Sequence, residues 1–194
     1  MRLIITRHGE TEENKLDIIQ GQLPGTLSDL GKEQAEKLAE RLSEEKMDVI
    51  LSSDLARALD TAKTIAKFHK GVPLEEKEIL RERYLGKFQG KTKADFKIPA
   101  ENPIDDYVTK EIGESHEEFM ERARKIIEMI GKRPEKKILI VCHNGIGRTI
   151  IGTLLGKTME EINKVELGNT SISIFEGEIG DLKLKLLDST EHLK

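Results

Sequence analysis

The chain has no tryptophan, one cysteine and few aromatic residues, 4% in all. A lone cysteine excludes an intramolecular disulfide, so stability has to come from a packed core, and it agrees with a reducing compartment. No apolar run approaches the length that crosses a bilayer, and no signal-peptide core precedes the first apolar stretch. The expectation is a soluble, cytoplasmic protein with no membrane partner. A charge excess is missing too. The net charge is −4, which argues against a nucleic-acid partner and means that any phosphate site must gather its positive charge locally.

What is present fits one domain spanning 1–194. Of the 194 residues, 37% are hydrophobic, enough for a single sizeable core, and 35% are charged, largely Lys and Glu. That exceeds the usual quarter. With few Asn and Gln it leans towards a heat-tolerant source. No repeat, linker or low-complexity tract interrupts the chain, and the composition leaves a homo-oligomer open.

The stretch Leu3-Ile4-Ile5-Thr6-Arg7-His8-Gly9-Glu10-Thr11 organises the rest. Leu3 to Ile5 reads as a short buried strand and Gly9 as the bend after it. A guanidinium and an imidazole at the C-terminal end of a core strand suit phosphoryl chemistry, because one group attacks while the other holds negative oxygens. After the polar loop 10–25, Ser28 caps a helix with Ala35, Leu38, Ala39 and Leu42 on its inner face. Residues 47–51 form a second buried strand ending in Ser52-Ser53-Asp54, and the next helix carries Arg57 in its first turn. A cation there opposes the helix dipole, so Arg57 is either solvated or turned towards an anion.

Residues 71–79 lead through a loop to a short strand. The excursion 91–112 contains Pro99 and Pro103 and has little periodicity. Ser115 and Glu118 make a capping box before a helix with Phe119, Ala123, Ile126, Ile127 and Ile130 buried, stopped by Gly131. Residues 138–142 are a third apolar strand, ending on His143-Asn144-Gly145, with a helix behind it. Residues 171–175 and 182–187 close the chain as strands, the latter alternating Leu with Lys, which protects a sheet edge. The tail 189–194 is expected to fray. His69, His116 and His192 read as solvated, and Cys142 as a small hydrophobe within a strand. Two stretches that imitate a Walker loop, 86–92 and 152–158, have three residues between their glycines where the motif needs four. The alternation of strands and helices predicts an α/β fold with a mostly parallel central sheet. Parallel strands bring Arg7-His8, Arg57 and His143 to one rim.

These residues resemble the histidine phosphatase superfamily, the phosphoglycerate-mutase-like group, over nearly the whole chain. Arg7-His8-Gly9-Glu10-Thr11 is similar to its signature, followed by Asn14 and Gln20-Gly21. Residues 51–58, Leu80 to Gly86, Gly113-Glu114-Ser115 and Val141-Cys142-His143 are similar to its later motifs. Asn144 stands where the family usually has Gly, which bears on the shape of the pocket behind His143. The resemblance implies a three-layer sandwich with a short cap-like excursion at 91–112. It implies His8 as nucleophile through a phosphohistidine, Arg7, Arg57 and His143 holding the phosphoryl oxygens, and Asn14 as a neutral donor. Gln20, Gly21 and Asn144 would complete the substrate-binding set. Glu82 would protonate the leaving alkoxide and then activate water. On its own, Glu82 could equally be a surface ion pair with Arg81 or Arg83.

The function implied is a phosphomonoester hydrolase acting on a small phosphorylated metabolite, with no metal and no cofactor. A phosphoglycerate mutase is the alternative. The short excursion and Asn169-Thr170-Ser171 favour the phosphatase, whereas Glu82-Arg83-Tyr84 is similar to the mutase form. From other classes come a non-catalytic anion-binding module and a metallohydrolase using His8, His143 and Glu82, which lacks any local ligand spacing.

Overall fold

A computed structural model describes residues 1–194. The elements run β1 (Arg2–Arg7), α1 (Glu12–Lys15), α2 (Asp29–Leu42), β2 (Val49–Ser52), α3 (Ala56–Ala66), β3 (Leu74–Glu76), α4 (His116–Gly131), β4 (Lys137–Cys142), α5 (Asn144–Leu154), α6 (Met159–Ile162), β5 (Ile172–Glu176) and β6 (Lys183–Ser189). The six strands form one sheet in the order β3-β2-β4-β1-β5-β6. The first four are parallel, and β5 and β6 run antiparallel to their neighbours.

Strand alternation explains the layers. Leu3, Ile5, Val49, Leu51, Ile138, Ile140 and Cys142 point to one face and pack against Phe119, Ala123, Ile126 and Ile130 of α4 and Ile146 and Ile150 of α5. Ile4, Ile50, Leu139 and Val141 point to the other, under Leu38, Ala39 and Leu42 of α2 and Ala58, Ala62 and Ile65 of α3. Because side chains alternate with a period of two, both faces of these central strands can be apolar and both are covered. The expected three-layer α/β sandwich is therefore the one observed.

The register sets the rim. Arg7 is level with Cys142, and Ser52 with Val141. His8, Ser53 and His143 thus leave the sheet side by side, and the His8 and Ser53 amides still bond to β4, at 3.0 Å each. Ser28 caps α2 through Gly31 N, and Ser115 with Glu118 caps α4, as the sequence suggests. The β1 exit is also fitted closely to α2. A Cβ on Gly9 would lie 2.3 Å from the Gly31 carbonyl oxygen, and one on Gly31 would lie 1.9 Å from that of Glu10.

Three expectations are corrected. The tail is not frayed: β6 runs on to Ser189, and the turn Glu191–Leu193 packs on α2, with Lys37 Nζ 3.5 Å from the Leu193 carbonyl. His69 is buried at 8% exposure, and His116 and His192 are half-buried, because each lies where a helix end or the tail meets another element. The excursion 91–112, expected to run over the surface, buries part of itself. Ile98 and Val108 form a small apolar cluster with Leu85 and Phe88, so it carries its own seat. No helix is long and apolar enough to cross a membrane.

In an ordinary helix a Gly→Ala change gains up to about 1 kcal/mol. At Gly31 the backbone of the β1 exit stands in the way, and overpacking of this kind costs about 1–3 kcal/mol. Gly31→Ala is therefore expected to destabilise the protein, measured by urea denaturation. A stability equal to or above that of the parent would contradict the close fit.

Candidate active site

Eight of the nine residues expected at the site line one cavity of ≈ 390 Å³: Arg7, His8, Asn14, Gln20, Gly21, Arg57, Glu82 and Asn144. His143, the ninth, lies one layer behind, with no exposed surface. Its ring meets that of His8 edge-on, centroids 5.2 Å apart.

His8 is 3% exposed. Its Nδ1 is 2.7 Å from the Gly9 carbonyl oxygen, which can only accept, so the proton belongs on Nδ1 and the lone pair on Nε2. Arg57 Nε donates to that lone pair at 3.1 Å. Burial, then the charges of Arg57 and Arg7, push the imidazole well below the ordinary histidine value of 6.5, against a smaller pull from the Gly9 carbonyl. His8 is thus a neutral imidazole with its tautomer set. His143 is pushed the same way by burial, Arg57, His8 and Arg7. Its Nε2 pairs with Ser53 Oγ at 2.8 Å, while its Nδ1 is buried without a partner.

The two arginines are held differently from the sequence expectation. Arg57 spends most of its five donors within the protein: Nη2 on the Gly21 carbonyl at 2.8 Å, Nη1 on those of Leu23 and Pro24, and Nε on His8. One Nη2 proton is left for an anion. Burial pushes Arg57 down to about 10, still cationic at neutral pH. Arg7 donates from Nη1 to the Leu167 carbonyl at 2.6 Å and keeps a buried, unpaired Nε.

Loop 10–25 is organised by a capping box that the sequence did not announce. Thr11 Oγ1 takes the Asn14 amide, and Asn14 Oδ1 takes the Thr11 amide. The box uses the oxygen of Asn14 and leaves its Nδ2 as a neutral donor. Gln20 Nε2 donates one of its two protons to Thr11 Oγ1 at 2.9 Å. Its part is to brace the loop. Gly21 sits at φ +51, and a Cβ there would lie 2.3 Å from the Gln89 side chain, so glycine presents this carbonyl to Arg57 without displacing Gln89.

Glu82 makes neither of the ion pairs the sequence left open, since Arg81 pairs with Asp54 and Arg83 with Asp105. Its carboxylate lies against the N-terminus of α5. Oε2 accepts from Gly145 N at 2.8 Å, and Oε1 from Ile146 N at 3.1 Å and Arg83 N at 2.8 Å. Free amides and the dipole make a helix start a seat for an anion. A Cβ at Gly145 would be 2.5 Å from Oε1, which is why glycine stands there. The Glu82 carbonyl is strapped in turn by Gln22 Nε2 and by Arg122 of α4. Asn144 Oδ1 accepts from Leu167 N at 2.9 Å, so this departure from the family's usual Gly ties α5 to the residue that also receives Arg7.

Sequence reasoning missed the outer half of the cavity, where Arg83, Lys93, Asp105, Arg148 and Glu166 join the lining. Arg148 had a signal, as a lone cation among Ile146, Gly147, Ile150 and Ile151. Asp105 had none, because its partners are distant in the chain. No group of three or more His, Cys, Asp or Glu side chains is arranged to hold a metal ion.

Known proteins resemble this chain in sequence and fold. The family model described as histidine phosphatase superfamily (branch 1) matches residues 3–190. The phosphoglycerate mutase-like protein 4 of Arabidopsis thaliana is 36% identical, covering 92% of this chain and 80% of that one. The metal-independent phosphoserine phosphatase of the same plant is 35% identical, covering 76% and 66%. The crystal structure of the alpha-ribazole phosphatase from Shigella flexneri superposes with a TM-score of 0.87 at 27% identity over 97% of this chain and 96% of that one.

A histidine whose folded pKa is depressed binds fewer protons folded than unfolded, so its contribution to stability is present above the ordinary value of 6.5 and lost as pH falls below it. Stability is expected to drop between pH 7 and 5, and His8→Asn to make that drop shallower by up to about 1.4 kcal/mol per pH unit. Urea melts across this range check it. NMR titration placing His8 near 6.5 would contradict the buried neutral imidazole.

Proposed function

The chain belongs to the histidine phosphatase superfamily and is a phosphoric monoester hydrolase; from that premise we propose that it works without a metal, through a phosphohistidine at His8, on a small phosphorylated metabolite. The observation that carries this reading is the His8 imidazole, neutral, tautomerically set and flanked by two guanidiniums. Imidazole with a free Nε2 lone pair is a nucleophile, and fixed cations can stabilise a phosphoryl group in transfer.

In this reading the phosphoryl oxygens meet Arg7 Nη2, the spare Arg57 proton and Asn14 Nδ2. A charged phosphoryl oxygen outcompetes a neutral imidazole for Arg57 Nε, since charge-assisted bonds are about twice as strong. Binding therefore frees the His8 lone pair. Nε2 attacks phosphorus, the bond to the leaving oxygen breaks, and Glu82, in its carboxylic acid form, gives that oxygen its proton and is left as the carboxylate. Water then attacks the phosphohistidine, Glu82 takes the proton, the P–N bond breaks and orthophosphate leaves.

The outer lining supports a small, polar substrate. It carries Arg83, Lys93, Asp105, Arg148 and Glu166, with aliphatic Ile18, Ile19, Leu85 and Ile104, and no aromatic ring against which a base could stack. We place residues 91–112 as a short cap over this half. The partner proposed is the phosphorylated substrate alone.

His8→Ala should lower phosphomonoester hydrolysis at least about a thousandfold, as loss of a covalent nucleophile does, and abolish acid-labile labelling by 32P substrate. Chelator should leave the parent rate within about twofold, and vanadate should inhibit at micromolar concentration. Labelling that survives His8→Ala would move the nucleophile elsewhere. Isomerisation of 3-phosphoglycerate faster than phosphate release would favour a mutase.

A further inference from the structure

The Glu82 carboxyl is held by two backbone pieces that are distant in sequence: the Arg83 amide beside it, and the Gly145 and Ile146 amides of α5. Each piece carries an arginine, and both arginines run to one carboxylate. Arg83 Nη1 donates to Asp105 Oδ1 at 2.7 Å, and Arg148 Nη2 donates to Asp105 Oδ2 at 2.5 Å. Asp105 stands in the turn Ile104–Tyr107 of the cap segment. Arg83 is 1% exposed and Arg148 8%. Arg83 is further locked by the Glu114 and Val108 carbonyls. Arg148 has no such support: its Nε is buried without a partner, and its Nη1 reaches the Asn163 and Val165 carbonyls only at 3.5 and 3.4 Å. Asp105 is its one close partner.

We propose that Asp105 is a positioning residue for Glu82. By bridging Arg83 and Arg148 it sets the separation of the two backbone pieces whose amides aim the carboxyl, so the segment over the outer pocket also aligns the proton donor. Removing the bridge leaves two nearly buried guanidiniums without their shared counter-ion, and α5 and the acid segment shift apart under that charge. A catalytic group displaced by a fraction of an ångström loses its effect on the transition state. The proposal rests on the reading of Glu82 as the acid that protonates the leaving group.

The test is leaving-group dependence, which general damage to the fold does not move. In a series of substituted phenyl phosphates the shape is nearly constant while the leaving phenol becomes less acidic. With Glu82 aligned, kcat/KM falls shallowly along the series. Glu82→Gln should make the fall steep. Asp105→Asn should shift the dependence the same way, losing about tenfold on phenyl phosphate but less than about threefold on 4-nitrophenyl phosphate, a leaving group that needs little protonation. Arg148→Met, cutting the bridge from the other side, should give the same signature and serves where Asp105→Asn does not fold. Equal losses on both substrates, or none, would overturn the positioning role. A shallow dependence in Glu82→Gln itself would instead overturn the assignment of Glu82, and the bridge with it.

Discussion

The structure depends on keeping an uncharged imidazole buried between two guanidiniums. A solvated histidine would be partly protonated near neutral pH, and the proton would occupy the electron pair that phosphoryl transfer needs. Here desolvation and the charges of Arg57 and Arg7 disfavour the proton, and the Gly9 carbonyl decides which nitrogen keeps the remaining hydrogen. Each condition needs a rigid surrounding. Side chains covered on both faces of β1, β2 and β4 fix the rim to the register of the sheet, and the Gly9–Gly31 approach locks the loop that follows. The rim is short of negative charge, and a phosphoryl dianion supplies what it lacks.

The two sides of the site are built on different principles. Arg7 ends a sheet strand, His8 and His143 directly follow one, and hydrogen bonds between neighbouring strands fix their backbone. Glu82 has no strand beneath it. Its segment is a string of turns held by Arg122 and Gln22 on its backbone, by the start of α5 on its carboxyl, and by Asp105 at one remove. In the proposed reading the nucleophile's place is thus a property of the core, whereas the acid's place is a property of long-range polar ties.

That difference explains what could be read in advance. Apolar alternation and capping residues are local signals, so the strands ending at Arg7, Ser52 and Cys142, the Ser28 and Ser115 caps and the three-layer arrangement were legible. So was the gathering of Arg7, His8, Arg57 and Glu82, partly because motifs in order along the chain carry a family resemblance. Local signals cannot say where a long side chain spends its donors. Arg57 reads as an anion clamp, yet its Nη atoms serve the carbonyls of Gly21, Leu23 and Pro24. Asp105 reads as one acidic residue in a polar stretch, and its meaning appears only when residues 83 and 148 arrive beside it. The solvated readings of His69, His116 and His192 failed for the same reason: exposure is decided by the element that packs across.

The anchoring of Arg57 gives that residue two tasks that would otherwise conflict. Its Nη atoms, bound to fixed carbonyls, hold the guanidinium in place, so its positive charge stays where negative charge develops and little reorganisation is needed. Its Nε meanwhile faces the His8 lone pair and satisfies it in the empty site, where an unpaired buried acceptor would cost about 1–3 kcal/mol. That bond is 3.1 Å long, the same as the Nη1 bond to the Pro24 carbonyl, and its acceptor is uncharged. In the proposed reading an incoming phosphoryl oxygen takes the spare Nη2 proton and competes with His8 for Nε, while the carbonyl-bound donors stay in place. In that reading the His8 lone pair is satisfied when the pocket is empty and released by the ligand it attacks.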